Sequence, residues 1–170
     1  MKSLTKVTFL TQAAVIAAIY VVLTIIFAPF SFGEVQVRIS EALTVLPFFT
    51  PAAIPGLFVG CIIANLFGGA IPADIVFGSI ATLLGALGTY ALRKKSRFLA
   101  PLPPIIANTL IVPFVLYYGY GVNLPIPFMM LTVGIGEVLS CGVIGLVLQS
   151  ALKKLQPCDL PRHSKSLKRL

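Results

Sequence analysis

The chain has 170 residues, 58% of them hydrophobic and only 11% charged, with 13 Lys+Arg against 5 Asp+Glu and a net charge of +8. A mean hydropathy of +1.00 excludes an ordinary soluble domain and fits a polytopic membrane protein. The positive charge does not point to nucleic acid. The basic residues flank apolar segments, with no polar folded domain to display them, so they act as topology determinants at the lipid bilayer.

In chain order, the first apolar stretch, residues 7–28, is long enough to cross. Its basic start resembles a signal peptide, but it is too long for one and lacks a small-x-small cleavage site, so it is read as a retained helix. Residues 39–49 are apolar but amount to about two-thirds of a span. Residues 52–69, 73–92, 104–118 and 128–152 each approach or exceed the ~17–25 residues a crossing helix needs. Basic patches lie at Lys2 and Lys6, at residues 93–97, and from Lys153 to the end. The positive-inside rule puts all three on the cytoplasmic face, so an even number of crossings separates Lys6 from Arg93. Counting 39–49 as a short crossing gives four, and two more bring the C-terminus back. The expected fold is all-α: a six-transmembrane-helix bundle over residues 1–155 with one short second helix, followed by a basic cytoplasmic tail, 156–170. Both termini are expected in the cytoplasm. Arg38, Glu34, the turn at 68–72 and the loop at 117–127 are then outside.

Several helices carry small residues on one face: Gly56, Gly60, Ala64 and Gly68; then Gly78, Ala81, Gly85 and Gly88 in line with Asp74; and Gly134, Cys141 and Gly145 in line with Glu137. Such faces let backbones approach closely in lipid. The first helix has two overlapping AxxxA faces, Ala13 with Ala17 and Ala14 with Ala18, either of which could pack inside or dock another subunit.

Ionisable groups in a membrane are costly and mark ligand sites or pathways. Glu137 falls about 14 Å down the last helix, near the midplane. It is either a ligand-binding group or the structural partner of Asn108 or Asn65. Glu41, one turn from Arg38, either pairs with it at i,i+3 or faces a ligand. Asp74 either caps the first turn of its helix or joins the site. Glu34 reads as a solvated loop charge. Asn65 and Asn108 must find polar partners. Tyr117, Tyr118 and Tyr120 are interfacial anchors or a stacking wall for a ligand. Cys61 and Cys141 read as small hydrophobes, and with the single histidine, His163, in the tail no His/Cys metal site is expected. There is no GxxxxGK[ST] loop, no dinucleotide fingerprint and no hydrolase or HExxH motif, so no ATPase or other enzyme activity is expected of this chain.

The block Val35-Gln-Val-Arg-Ile-Ser-Glu-Ala-Leu-Thr-Val-Leu-Pro47 resembles the QueT family, as does its continuation through Gly60. So do Ile63-Ala-Asn-Leu-Phe-Gly-Gly69, Asp74-Ile-Val-Phe-Gly-Ser-Ile-Ala-Thr-Leu-Leu84 and Pro101-Leu-Pro-Pro-Ile-Ile-Ala-Asn108. The likeness covers most of residues 5–152, with the first block the most specific. It implies a substrate-capture (S) component of an energy-coupling-factor importer for queuosine precursors. Such a subunit works with a shared transmembrane coupling protein and two ATPases, which use the ATP; no cofactor is expected in this chain. It also implies that an alanine face on the first helix touches the coupling protein, in either register. The implied cargo, 7-aminomethyl-7-deazaguanine, needs a carboxylate for its guanine edge, an amide or backbone donor for its carbonyl and a second carboxylate for its amine. Glu137, Glu41, Asp74, Asn65, Asn108, Arg38 and Tyr117 are the candidate substrate-binding residues, with Glu137 expected on the guanine edge and Glu41 or Asp74 on the amine. A capture subunit for another vitamin or nucleobase, a membrane-embedded enzyme and a ligand-free assembly protein are the competing readings.

Overall fold

The computed structural model of the chain describes residues 2–31 and 38–155. Glu34 and the basic tail, with Cys158, Asp159 and His163, lie outside the described residues. Every element among the described residues is helical. Helix α1 (Lys2–Ile26) runs into the four-residue α2 (Ala28–Ser31). A 3-10 helix (Ile39–Phe48) precedes α3 (Ala53–Phe67) and α4 (Pro72–Leu92), and a short 3-10 turn (Arg97–Leu99) leads to α5 (Leu102–Tyr118). The last stretch is α6 (Ile126–Glu137), a π-helical segment (Val138–Ile144) and α7 (Gly145–Leu155).

Among the described residues, four stretches are long and apolar enough to cross a membrane: Thr5–Ile26, Pro72–Leu92, Arg97–Tyr118 and Ile126–Leu155. The 3-10 helix and α3 are shorter apolar helices. The long helices turn large apolar side chains outward, among them Leu10, Phe77, Leu131 and Val147. That is the surface of a protein solvated by lipid rather than water.

The element at 39–49 departs from an α-helix for local reasons. Pro47 supplies no N–H to the ladder. The Thr44 hydroxyl donates to the Glu41 carbonyl, taking an acceptor out of it. A 3-10 helix rises about 2.0 Å per residue, so ten residues reach about 20 Å where an α-helix would reach about 15 Å. Its three-residue turn also stacks positions 38, 41 and 44 on one edge. Most of it is buried, and it packs against α1, α3, α4, the π segment and α7. The expected short second helix is therefore the central post of the bundle.

The small-residue faces hold the post's surroundings together. A Cβ on Gly56 would sit 2.7 Å from the Ala13 carbonyl oxygen, and one on Gly60 3.1 Å from Ala17 Cα. These glycines let α3 lie directly on the backbone of α1. Gly85 does the same for α4 against α5, where its Cβ would meet Pro104 Cα at 2.7 Å. Gly145 brings α7 against Val45 and Ala42 of the 3-10 helix. The α3–α4 turn is made by Gly69 at φ 73°, a left-handed conformation that glycine adopts without strain.

Candidate polar site around the 3-10 helix

Polar side chains from several helices converge on the stacked edge of the 3-10 helix. At its start, Arg38 donates from Nη2 to Asp74 Oδ2 of α4 at 3.2 Å, and both side chains are buried. Tyr120, just beyond α5, donates to the same Oδ2 at 3.2 Å and accepts from the Ile71 N–H at 3.4 Å. Asn65 of α3 donates from Nδ2 to the Asp74 backbone carbonyl at 3.3 Å. Asp74 Oδ1 and Asn65 Oδ1 are buried without a hydrogen-bond partner. Burial opposes the charge on Arg38, but Asp74 and, less strongly, Glu41 favour it more, so the guanidinium is held protonated above its usual range. Burial also raises the Tyr120 phenol above its ordinary pKa, and the neighbouring Asp74 charge adds to the rise.

Gly78, one turn beyond Asp74, is part of this cluster rather than of a helix contact. A Cβ there would lie 2.9 Å from Asp74 Oδ1, 3.3 Å from Asn65 Nδ2 and 3.7 Å from Arg38 Nη1. The bare backbone leaves the room that these three groups occupy.

One turn along the 3-10 helix, Glu41 is fully buried. Its Oε1 accepts from Tyr20 of α1 and from Thr82 of α4, the latter at 3.0 Å, while Oε2 has no hydrogen-bond partner. Cys141 of the π segment bridges to the third acid. Its Sγ lies 3.2 Å from Glu137 Oε2, 3.2 Å from the Glu41 carbonyl oxygen and 3.3 Å from Thr44 Oγ1. Ligand atoms of Glu41, Glu137 and Cys141 all lie within 4.8 Å of one another. Asn108 of α5 interacts with Glu137, with its Nδ2 in no well-aligned hydrogen bond. Cys61 of α3 joins the two groups of residues, taking Asn65 Nδ2 at 3.6 Å and Thr82 Oγ1 at 3.5 Å.

Four of the sequence expectations change in detail. Among the described residues, Arg38 pairs with Asp74 rather than with Glu41 at i,i+3, because the 3-10 helix starts where α4 presents its carboxylate. Asp74 makes no side-chain cap for α4, whose first turn begins with Pro72. Tyr117 stands apart: it is 40% exposed and edge-on to Tyr118, while Tyr120 reaches the polar groups instead. Cys141, expected as a small hydrophobe, makes polar contacts to both glutamates. Tyr20, Thr44 and Thr82 were not singled out from sequence. Thr82 had a readable signal, since it follows Asp74 and Gly78 at four-residue spacing. Tyr20 had none, because its role depends on how α1 lies over the 3-10 helix.

The two alanine faces of α1 separate cleanly. Ala13 and Ala17 are buried against Gly56 and Gly60 of α3. Ala14 and Ala18 are exposed, flanked by exposed Leu10, Val15, Ile19 and Val22.

Compared with known proteins, residues 10–154 match the model of the family described as QueT transporter. A stretch of 73 residues is 36% identical to the queuosine precursor transporter QueT of Lactococcus lactis subsp. cremoris (strain MG1363). That alignment covers 42% of this chain and 43% of the relative's length. No solved structure matches.

Proposed function

The chain belongs to the QueT transporter family, and from that premise we propose that it is the substrate-capture component of an ATP-driven energy-coupling-factor importer for a queuosine precursor. The cargo in this reading is 7-aminomethyl-7-deazaguanine, taken up at the outer face. A transmembrane coupling protein and two ATPases complete the transporter, and this chain performs no chemistry of its own. The observation that carries the reading is the polar cluster. Three carboxylates, one guanidinium and two amides are gathered around the central 3-10 helix of an otherwise apolar bundle. Burying that many ionisable groups is costly, and a bundle that needed only to fold would use apolar side chains instead.

The bundle crosses six times in this reading, with the 3-10 helix and α3 as the short crossings and both ends in the cytoplasm. Two contacts support the parity. Arg38, the α3–α4 turn and Tyr120, two residues past α5, meet at Asp74 and Ile71, at one end. Thr50, after the 3-10 helix, donates to Gln12 in the first half of α1, at the other. The Arg38–Asp74 end of the polar cluster, with Tyr120, then lies on the side of the outer face. The coupling protein docks on the exposed Ala14 and Ala18, since the Ala13–Ala17 register is spent on α3.

Calorimetry on the purified full chain tests the function, with 7-aminomethyl-7-deazaguanine as ligand and guanine and 7-cyano-7-deazaguanine as competitors. Tight binding of the aminomethyl compound, weakened when the amine is absent, is the expected result. Folded protein that binds none of the three would rule the cargo out.

A further inference from the structure

Two carboxylates and a thiol gathered from two helices, Glu41 on the 3-10 helix and Glu137 and Cys141 one turn apart on the last stretch, define a geometry as well as a charge. A primary ammonium has three N–H donors in tetrahedral array. With charge-assisted bonds of about 2.8–2.9 Å, three acceptors around one ammonium nitrogen lie about 4.7 Å from each other. Glu41, Glu137 and Cys141 place their ligand atoms within 4.8 Å of one another, so the two carboxylates can flank one ammonium nitrogen, with the thiol, 3.2 Å from Glu137 Oε2, closing the side between them. The cradle is built rather than accidental. Glu41 is held by Tyr20 and Thr82, and Cys141 is fixed between the Glu137 carboxylate and the Glu41 backbone carbonyl. Independently of the cluster itself, Glu41 Oε2 is fully buried with no partner. Two carboxylates this close repel unless a proton or a cation sits between them.

We infer that Glu41, Glu137 and Cys141 form one cradle for the primary ammonium group of the cargo, with both glutamates on the amine and neither on the base edge. This rests on the reading of the chain as a queuosine-precursor binder and reverses the role expected of Glu137 from sequence. The flat base then extends toward Asp74, whose Oδ1 and the Oδ1 of Asn65 are two buried acceptors without partners. They suit the adjacent N–H donors of a guanine edge, and Arg38 suits its carbonyl oxygen. Asp74 and Thr82, which touch the two ends, are eight positions apart on α4, about 12 Å along the axis. That span matches the length of a bicyclic base with a hydrogen bond at each end.

The test is a cycle that removes the amine from the ligand and the charge from the protein. Calorimetry is run on the full-length chain and its Glu41→Gln, Glu137→Gln and Asp74→Asn variants, with 7-aminomethyl- and 7-cyano-7-deazaguanine. Each glutamate variant is expected to weaken the aminomethyl compound about 100-fold while shifting the cyano compound less than about threefold. Asp74→Asn is expected to weaken both alike. If Glu137→Gln weakens both compounds equally, Glu137 reads the base and the cradle is wrong. Because a variant could misfold, the wild-type chain carries an independent arm: thermal stabilisation by benzylamine against benzyl alcohol. A wild-type chain that binds no deazaguanine yet is stabilised by benzylamine alone keeps the cradle and loses the cargo. Equal shifts with the two probes, or stabilisation by Zn²⁺ alone that Cys141→Ser removes, overturn the cradle.

Discussion

Arg38 and Asp74 are joined across the bundle at 3.2 Å, with 6% and 1% of their side-chain surfaces exposed. The pair ties the start of the 3-10 helix to the start of α4, so it is an element of the fold and, in the function proposed, also a wall of the site. Removing one partner leaves the other charged and buried, which costs about 3–5 kcal/mol. Arg38→Gln is therefore expected to lower the melting temperature in detergent substantially. The double variant Arg38→Met with Asp74→Leu should recover most of the loss while leaving binding abolished. Recovery of both properties together would show the pair to be structural only.

Gly78 separates folding from binding more sharply. The atoms that a Cβ would crowd are Asp74 Oδ1 and Asn65 Nδ2, both at side-chain ends that can turn aside while Asp74 Oδ2 keeps its bond to Arg38. At Gly56 the crowded atom is a backbone oxygen, that of Ala13, which cannot move without α1. Gly56→Ala should cost about 1–3 kcal/mol of stability through overpacking. Gly78→Ala should melt close to wild type and bind the cargo at least about tenfold more weakly, since 1.4 kcal/mol of misplaced contacts suffices. A melting scan and a titration on the two variants distinguish them.

What was readable beforehand follows from which interactions are local. Glu137, Cys141 and Gly145 line one face in sequence, and the structure keeps them facing the 3-10 helix. Asp74 and Gly78 were on one stripe for the same reason. The Arg38–Glu41 pairing failed because helical spacing gives proximity but says nothing of a nearer carboxylate on another helix. The count of crossings rests on charge parity, because the 3-10 helix and α3 are too short to declare themselves by length. Tyr117 and Tyr120 are indistinguishable by composition; only the path of the chain after α5 decides which one turns inward. The register of the alanine face was undecidable for a similar reason, since Ala13 and Ala14 differ only in which side of α1 meets α3.

Tyr120 gives the Arg38–Asp74 end of the bundle a pH signature. Its folded pKa is raised by burial and by the Asp74 charge. A group whose folded pKa lies above its unfolded value contributes stability that is intact below the unfolded pKa and lost as pH rises through the folded one. Stability of the purified chain should therefore be level up to about pH 10 and fall above it. Tyr120→Phe should flatten that fall. An unchanged alkaline limb in the variant would mean that the phenol does not carry it.

The alanines of α1 test the assembly proposed for this chain without touching its ligand. Ala13→Leu and Ala17→Leu put branched side chains against Gly56 and Gly60, where there is no room, so both should destabilise the isolated protein by about 1–3 kcal/mol. Ala14→Leu and Ala18→Leu lie on the exposed side, and the isolated chain should melt and bind cargo as the wild type does. Their effect should emerge only with the coupling protein present, because close helix–helix approach in lipid depends on small residues. Co-purification with the coupling protein should fall severalfold for Ala14→Leu with Ala18→Leu, and cellular uptake of the precursor should fall with it. Full uptake in that double variant would place the docking surface on another helix.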